Sequence, residues 1–167
     1  MRFVLIDRIV ELNRGKSLVA IKNLSLAEEY LADHFPGFPV MPGVLMLESM
    51  TQAGAWLLRD QEDFAHSVIV LKSARTIKYG SFVEPGRSLQ IRVELLSQDD
   101  RLATFKGQGV IDGVTMVQGK VTLERFNLSS SSNGSLSGAD VTVVRELREQ
   151  FAILTRGMNR GLAAKAV

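Results

Sequence analysis

Cysteine is absent from this chain, which excludes disulfides, a thiolate nucleophile and any zinc site built from thiolates. That absence suits a reducing, cytoplasmic setting. Histidine is nearly absent as well: His34 and His66 are the only two, so a histidine-rich metal site is excluded. No uninterrupted apolar run is long enough for a membrane span, and the opening MRFVLIDRIVELN carries charge at Arg2, Asp7, Arg8 and Glu11, unlike a signal peptide. Excess charge of one sign is missing too. A net charge of +2 is too small to argue for nucleic acid, although it leaves room for an acidic protein partner. The chain also has no phosphate loop, dinucleotide fingerprint, Ser-His-Asp pattern or internal repeat. Its 167 residues suffice for one domain with a real core and an appendage.

Proline is scarce but concentrated: Pro36, Pro39 and Pro42 stand in one short stretch, interleaved with Gly37 and Gly43. Such a stretch is a rigid loop, and Pro42 suits the first position of a helix, where its missing N–H costs nothing. From Gly43 to Leu58 the chain is free of proline and apolar on nearly every face, the pattern of a buried helix. Ser49, Ala53, Gly54 and Ala55 are small enough to let that helix approach a sheet closely. Trp56 reads as a core or interface aromatic.

Glu48 is the anomaly in this helix, with Gln52 one turn later on the same face. Burying a carboxylate costs several kcal/mol by rough estimate unless it is partnered. One reading is a structural glutamate bonded to Gln52. The other is a carboxyl held in an apolar cleft so that its pKa rises and it donates a proton. His34, beside the rigid loop, favours the second: a proton acceptor and a proton donor near neutral pH are the minimum equipment for acid–base catalysis.

The run His34-Phe-Pro-Gly, Pro39-Val-Met-Pro-Gly-Val, Glu48-Ser-Met-Thr-Gln52, with the acid fourteen positions after the histidine, resembles the signature of the 3-hydroxyacyl-acyl-carrier-protein dehydratases of type II fatty-acid synthesis. Glu48 rather than Asp is similar to the dehydratase-only branch. The resemblance extends, more weakly, from about Phe3 to Arg125. It implies a hot-dog fold, with dimers joining two sheets into one, either as a homodimer or as a trimer of dimers. It implies His34 as the base, Glu48 as the acid or as the group positioning hydroxyl and water, the Gly43 N–H at the helix start for the thioester oxygen, and Gln52 to orient Glu48. His34 and Glu48 of one site would come from different subunits. Phe38, Met46 and Met50 are candidates for the acyl-channel wall, against plain core packing for the two methionines. The stretch Ala74–Gly86 borders that channel in the resembled family. No metal or organic cofactor is implied; the acyl group would arrive on the phosphopantetheine of an acyl carrier protein. A thioesterase on the same fold and a non-catalytic scaffold subunit are the alternatives, and intact His34 and Glu48 argue against both.

The rest of the chain predicts an α+β fold, an antiparallel sheet wrapped around one long buried helix. Strands are expected at Val4–Leu12 and Ser17–Leu24, joined by a turn at 13–16, and then at Ser67–Lys72, Ala74–Tyr79, Ser88–Leu96, Arg101–Ile111 and Val114–Leu123. Asp112-Gly113 is a two-residue hairpin signal. A short helix is expected over Leu26–Ala32, with Ser25 and Glu28 in capping-box positions. Residues 1–126 are expected to form the hot-dog domain, and 127–139, rich in Ser and Gly, a linker. Residues 140–167 are expected to form an amphipathic helix with its seam at Val144, Leu147, Phe151, Leu154 and Met158. Docking on its own domain is favoured for that helix over an oligomer or partner contact, and Glu146 and Glu149 weaken a membrane-surface role.

Overall fold

Helix α1, Gly43–Gln61, is the centre around which the chain is built. Pro42 precedes it at φ −55° and ψ 137° as the N-cap, one position earlier than expected, and its carbonyl accepts the N–H groups of Leu45 and Met46. Asp63 and Phe64, both at positive φ, turn the chain out of the helix end. Leu45, Met46, Ser49, Met50 and every residue from Ala53 to Leu58 are buried, and the Ser49 hydroxyl is satisfied by the Leu45 carbonyl at 2.8 Å. At Gly54 an added Cβ would lie 3.1 Å from Leu123 and 3.3 Å from Phe105, so the helix there rests directly on the sheet. The structure, a computed structural model, describes residues 3–128 and 138–158.

Six strands wrap this helix as one antiparallel sheet: β1 Arg8–Asn13, β2 Ser17–Asn23, β3 Val68–Tyr79, β4 Ser88–Gln98, β5 Leu102–Ile111 and β6 Val114–Phe126. Their order is β1-β2-β4-β5-β6-β3, which leaves β1 and β3 as the edges. The strands alternate as a half-buried sheet must. Leu89, Ile91 and Val93 of β4, and Ala103 and Phe105 of β5, turn inward at 0–1 % exposure. This is the hot-dog arrangement expected from the sequence. Asp112 and Gly113, at φ 49° and 81°, form the tight β5–β6 turn.

Five local expectations are corrected. The first strand starts at Arg8 rather than Val4, because the backbone of Phe3 and Leu5 bonds the Gln52 side chain instead of a neighbouring strand. The helix expected over Leu26–Ala32 is a single 3-10 turn, Glu29–Leu31. Glu28 does not close a capping box, since its carboxylate bonds the ammonium of Lys22, a lysine only 3 % exposed. The two strands expected either side of Ser73 are one strand, β3, which absorbs the irregularity in register shifts at Leu71/Ser73 and Arg75/Lys78. Asn127 is not loose linker: its side-chain oxygen accepts the Ser67 N–H at 2.8 Å and its amide donates to the Ala65 carbonyl. The remainder of that linker, 129–137, and residues 159–167 lie outside the described residues.

The second helix, α2 Gly138–Leu154, begins two residues earlier than expected. Its seam of Val144, Leu147, Phe151 and Leu154 is buried in the same core as α1. The Phe151 ring stacks on Trp56 (centroids 5.8 Å apart) and meets Phe64 edge-on (5.6 Å). Asp140, fully buried, accepts the Ser67 hydroxyl and the Leu128 N–H, fixing the start of the helix. Arg148 fixes the middle: it donates to the Asp63 carboxylate at 2.9 Å and the Asp63 carbonyl at 2.6 Å, and its guanidinium lies over Phe64.

Candidate active site

The His34 loop is held by its own backbone. Phe35 and Phe38 exchange N–H···O bonds of 3.1 and 2.9 Å, Val40 N–H returns to the His34 carbonyl, and Met41 N–H bonds Val83. The His34–Phe35 peptide is cis, and the Phe35 ring stacks on the imidazole at 4.2 Å. His34 Nδ1 lies 2.9 Å from the Val40 carbonyl oxygen. A carbonyl can only accept, so Nδ1 carries hydrogen and a neutral ring presents the Nε2 lone pair outward. His34 is half-buried and lines a cavity of about 270 Å³ with Met41, Gly43, Met46, Tyr79, Gly80, Ser81 and Phe82.

Gly43 opens α1 in this cavity. As the first helical residue it has no intrahelical carbonyl for its N–H. The Tyr79 ring packs against it so closely that a Cβ would lie 3.0 Å from the ring edge. Met46 belongs to this wall. Phe38 does not line the cavity but braces one of its members, meeting Phe82 edge-on at 5.6 Å. Met50 lines neither this cavity nor the next; it is fully buried, packed against Gly107 of β5, in the core role that its sequence context also allowed.

Glu48 and Gln52 come together as their spacing implied. Gln52 Nε2 donates to Glu48 Oε1 at 3.0 Å and to the Phe3 carbonyl at 3.1 Å, while Gln52 Oε1 accepts the Leu5 N–H at 3.0 Å. The amide therefore ties the carboxylate to the amino-terminal segment and leaves it little orientational freedom. Glu48 is half-buried rather than enclosed, and Val44, one turn before it, is 67 % exposed. The helix is thus not apolar-buried on every side: a strip through Val44 and Glu48 is uncovered by the chain itself.

Glu48 opens onto a different cavity from His34. That space, about 340 Å³, lies between the amino-terminal segment, α1 and α2. Its wall includes Val4, Ala55, Trp56, Ile69, Leu147 and Gln150. Sequence reasoning missed Tyr79 and Phe82, although it marked the stretch that carries them. Leu147 is marked by the sequence only as part of the amphipathic seam of the tail, and Gln150 is not marked at all. His66 stands apart, its Nδ1 2.9 Å from Glu62. Among the described residues no group of three or more His, Cys, Asp or Glu side chains could hold a metal ion. Among them, too, no helix is long and apolar enough to cross a membrane.

Comparison with known proteins adds the chemistry of the relatives. Residues 1–120 match the family model of the FabA-like domain. The chain is 39 % identical over 121 residues to a 3-hydroxyacyl-[acyl-carrier-protein] dehydratase FabZ of Magnetococcus marinus, covering 71 % of this chain and 79 % of that protein. It is 37 % identical over 111 residues to the FabZ dehydratase of Geobacillus thermodenitrificans, covering 66 % and 77 %. Among solved structures it superposes on the dehydratase heterocomplex ApeI:P of Xenorhabdus doucetiae with a TM-score of 0.63 at 21 % identity, over 75 % of this chain and 84 % of that one. It superposes also on the E. coli PaaI protein of the phenylacetic acid degradation operon, with a TM-score of 0.55 at 15 % identity, over 71 % and 78 %. The two structural likenesses concern the fold alone, and the fold is common to proteins of different pathways. The chemistry of the relatives rests on the sequence matches.

Proposed function

The chain belongs to the FabA/FabZ-type family of hot-dog dehydratases of lipid metabolism, and from that premise we propose that it removes water from 3-hydroxyacyl groups carried on the phosphopantetheine of an acyl carrier protein. The product is the trans-2-enoyl thioester. The observation that carries the reading is the pair of preoriented groups: a His34 whose Nδ1 is occupied by Val40, and a Glu48 whose carboxylate is tied by Gln52.

The neutral imidazole takes the C2 proton on Nε2 as the C2–C3 double bond forms. The C3–O bond breaks, and Glu48 supplies the proton with which the hydroxyl leaves as water. Negative charge that moves onto the thioester oxygen meets the Gly43 N–H and the positive end of the α1 dipole. A backbone donor so placed lowers the barrier by on the order of 3 kcal/mol, and each proton-transfer group contributes roughly a hundred- to ten-thousand-fold.

The active unit is a homodimer in which His34 of one subunit meets Glu48 of the other. Three features support it: the two side chains line separate cavities of one chain, α1 leaves its Val44–Glu48 strip uncovered, and β3 is an edge strand with Val70, Leu71 and Tyr79 exposed. An exposed edge of this kind is a template for strand pairing. The test is a crotonyl thioester of pantetheine, followed at the conjugated absorbance. Hydration without thiol release supports the proposal, release of free thiol indicates a thioesterase, and no reaction on either pantetheine or carrier protein contradicts both.

A further inference from the structure

We propose that α2 sets the acyl-chain length, with Leu147 forming the end wall of the chain pocket; this rests on the dehydratase reading above. The hydroxyl-bearing C3 has to touch Glu48, and within one subunit Glu48 opens onto the cavity of about 340 Å³. Carbons beyond C3 therefore continue between Ala55 and Trp56 of α1, Ile69 of β3 and Val4, and meet Leu147. The lining joins these apolar groups to Glu48, Thr51, Gln52, Gln150 and Arg59, whose guanidinium lies over the Trp56 ring, 5.0 Å from its centroid; a hydrocarbon with a polar group at one end packs against the apolar part.

The wall is contributed by a part of the chain that the family match does not include, since the match ends at residue 120 and α2 runs from Gly138 to Leu154. It is also a firm wall. Asp140 and Arg148 fasten α2 at its start and middle, and Phe151 is stacked on Trp56 one turn beyond Leu147. Leu147 itself is 5 % exposed, so its volume limits the cavity and does not protrude into solvent.

Trp56 is the sole tryptophan and lines the same cavity, so its emission reports occupancy without any turnover. A ladder of straight-chain S-acyl pantetheines, from acetyl to palmitoyl, is titrated against the full chain. Each added methylene should tighten binding about fourfold until the pocket is filled, after which the gain stops. Leu147→Ala should move that limit to longer chains and Leu147→Phe to shorter ones. Loosening of α2 could mimic the first shift but not the second. Ile153→Ala, on the exposed face of the same helix, should leave the limit in place. A limit that is identical in all variants, or no Trp56 response in a protein that hydrates crotonyl thioester, overturns the inference and leaves the dehydratase reading standing. A Trp56 limit that moves with residue 147 in a protein that hydrates nothing supports the pocket and contradicts the dehydratase reading.

Discussion

His34 and Glu48, fourteen residues apart in the chain, open onto separate cavities of the same subunit. One lies under the β3–β4 connection beside Gly43, the other between the amino-terminal segment and α2. Each is held by a local bond, Nδ1 to Val40 and Oε1 from Gln52, yet neither cavity is lined by both residues. In the proposed homodimer, a second subunit would bring its His34 loop to the uncovered strip of α1 and so resolve the mismatch.

Replacing His34 by Ala should lower hydration and dehydration by at least about a hundredfold, the usual worth of a proton-transfer group. The loop's backbone bonds, from Phe35 to Phe38 and from Val40 to residue 34, do not use the imidazole, so the variant should stay folded and lose only about 1 kcal/mol with the Nδ1–Val40 bond. Steady-state rates and a melting curve check this together. A folded variant that turns over normally would remove His34 from the mechanism.

Gly80 tests the wall of the His34 cavity. An added Cβ would lie 2.3 Å from the Thr115 carbonyl oxygen, a backbone atom of β6 that has no easy way to retreat. Gly80→Ala should therefore displace Tyr79–Phe82, cost about 1–3 kcal/mol in denaturant unfolding, and reduce turnover in the same variant. Unchanged stability would show that the β3–β4 connection gives way freely.

Acid should loosen α2. The hydrogen bond from Arg148, and then the charge of that guanidinium, hold the Asp63 carboxyl below the usual carboxylate range. Because the folded value is the lower one, the stabilisation is present above the ordinary Asp range and is lost as pH falls below that range, through the depressed folded value. Trp56 emission followed through an acid titration should report the loss. Asp63→Asn, which tolerates the local φ of 50°, should remove that part of the pH dependence. An unchanged profile would mean that other carboxyls control the helix.

Phe151 is the aromatic member of the buried seam of α2, stacked on Trp56 and edge-on to Phe64. Phe151→Ala should cost roughly 3–5 kcal/mol where the helix remains docked, enough for α2 to open locally before the sheet unfolds. Red-shifted Trp56 emission with unchanged hydrogen-exchange protection in β4 and β5 is the expected pair of observations. Unshifted emission would contradict the docking role.

Much of this architecture is legible in the sequence because period and punctuation agree. Pro42 and the apolar run after it mark α1, the Asp112-Gly113 pair marks the β5–β6 hairpin, and the Val144–Phe151 seam marks α2. Errors arise where a side chain replaces a backbone partner. Gln52 takes the bonds that would have extended β1 to Val4, and Lys22 draws Glu28 away from its capping position. Two register shifts let β3 run through Ser73, which local composition marks as a break. The pairing of Glu48 with Gln52 follows from helical spacing, whereas Tyr79 over Gly43, and Leu147 in the wall of the cavity that Glu48 lines, join distant segments and leave no local trace.

The central claim, one active site built from two subunits, is tested most directly by mixing two inactive variants, His34→Ala and Glu48→Gln. The Gln replacement keeps the volume of the side chain and its bond to Gln52 while removing the transferable proton. In a mixed dimer, one site carries both defects and the other has His34 and Glu48 intact. Crotonyl-thioester hydration should reappear as subunits exchange, rising toward about half the wild-type activity per mixed dimer, since one of its two sites is whole. Subunit exchange demonstrated by differently tagged chains, with no return of activity, would place both groups in one chain and contradict the account.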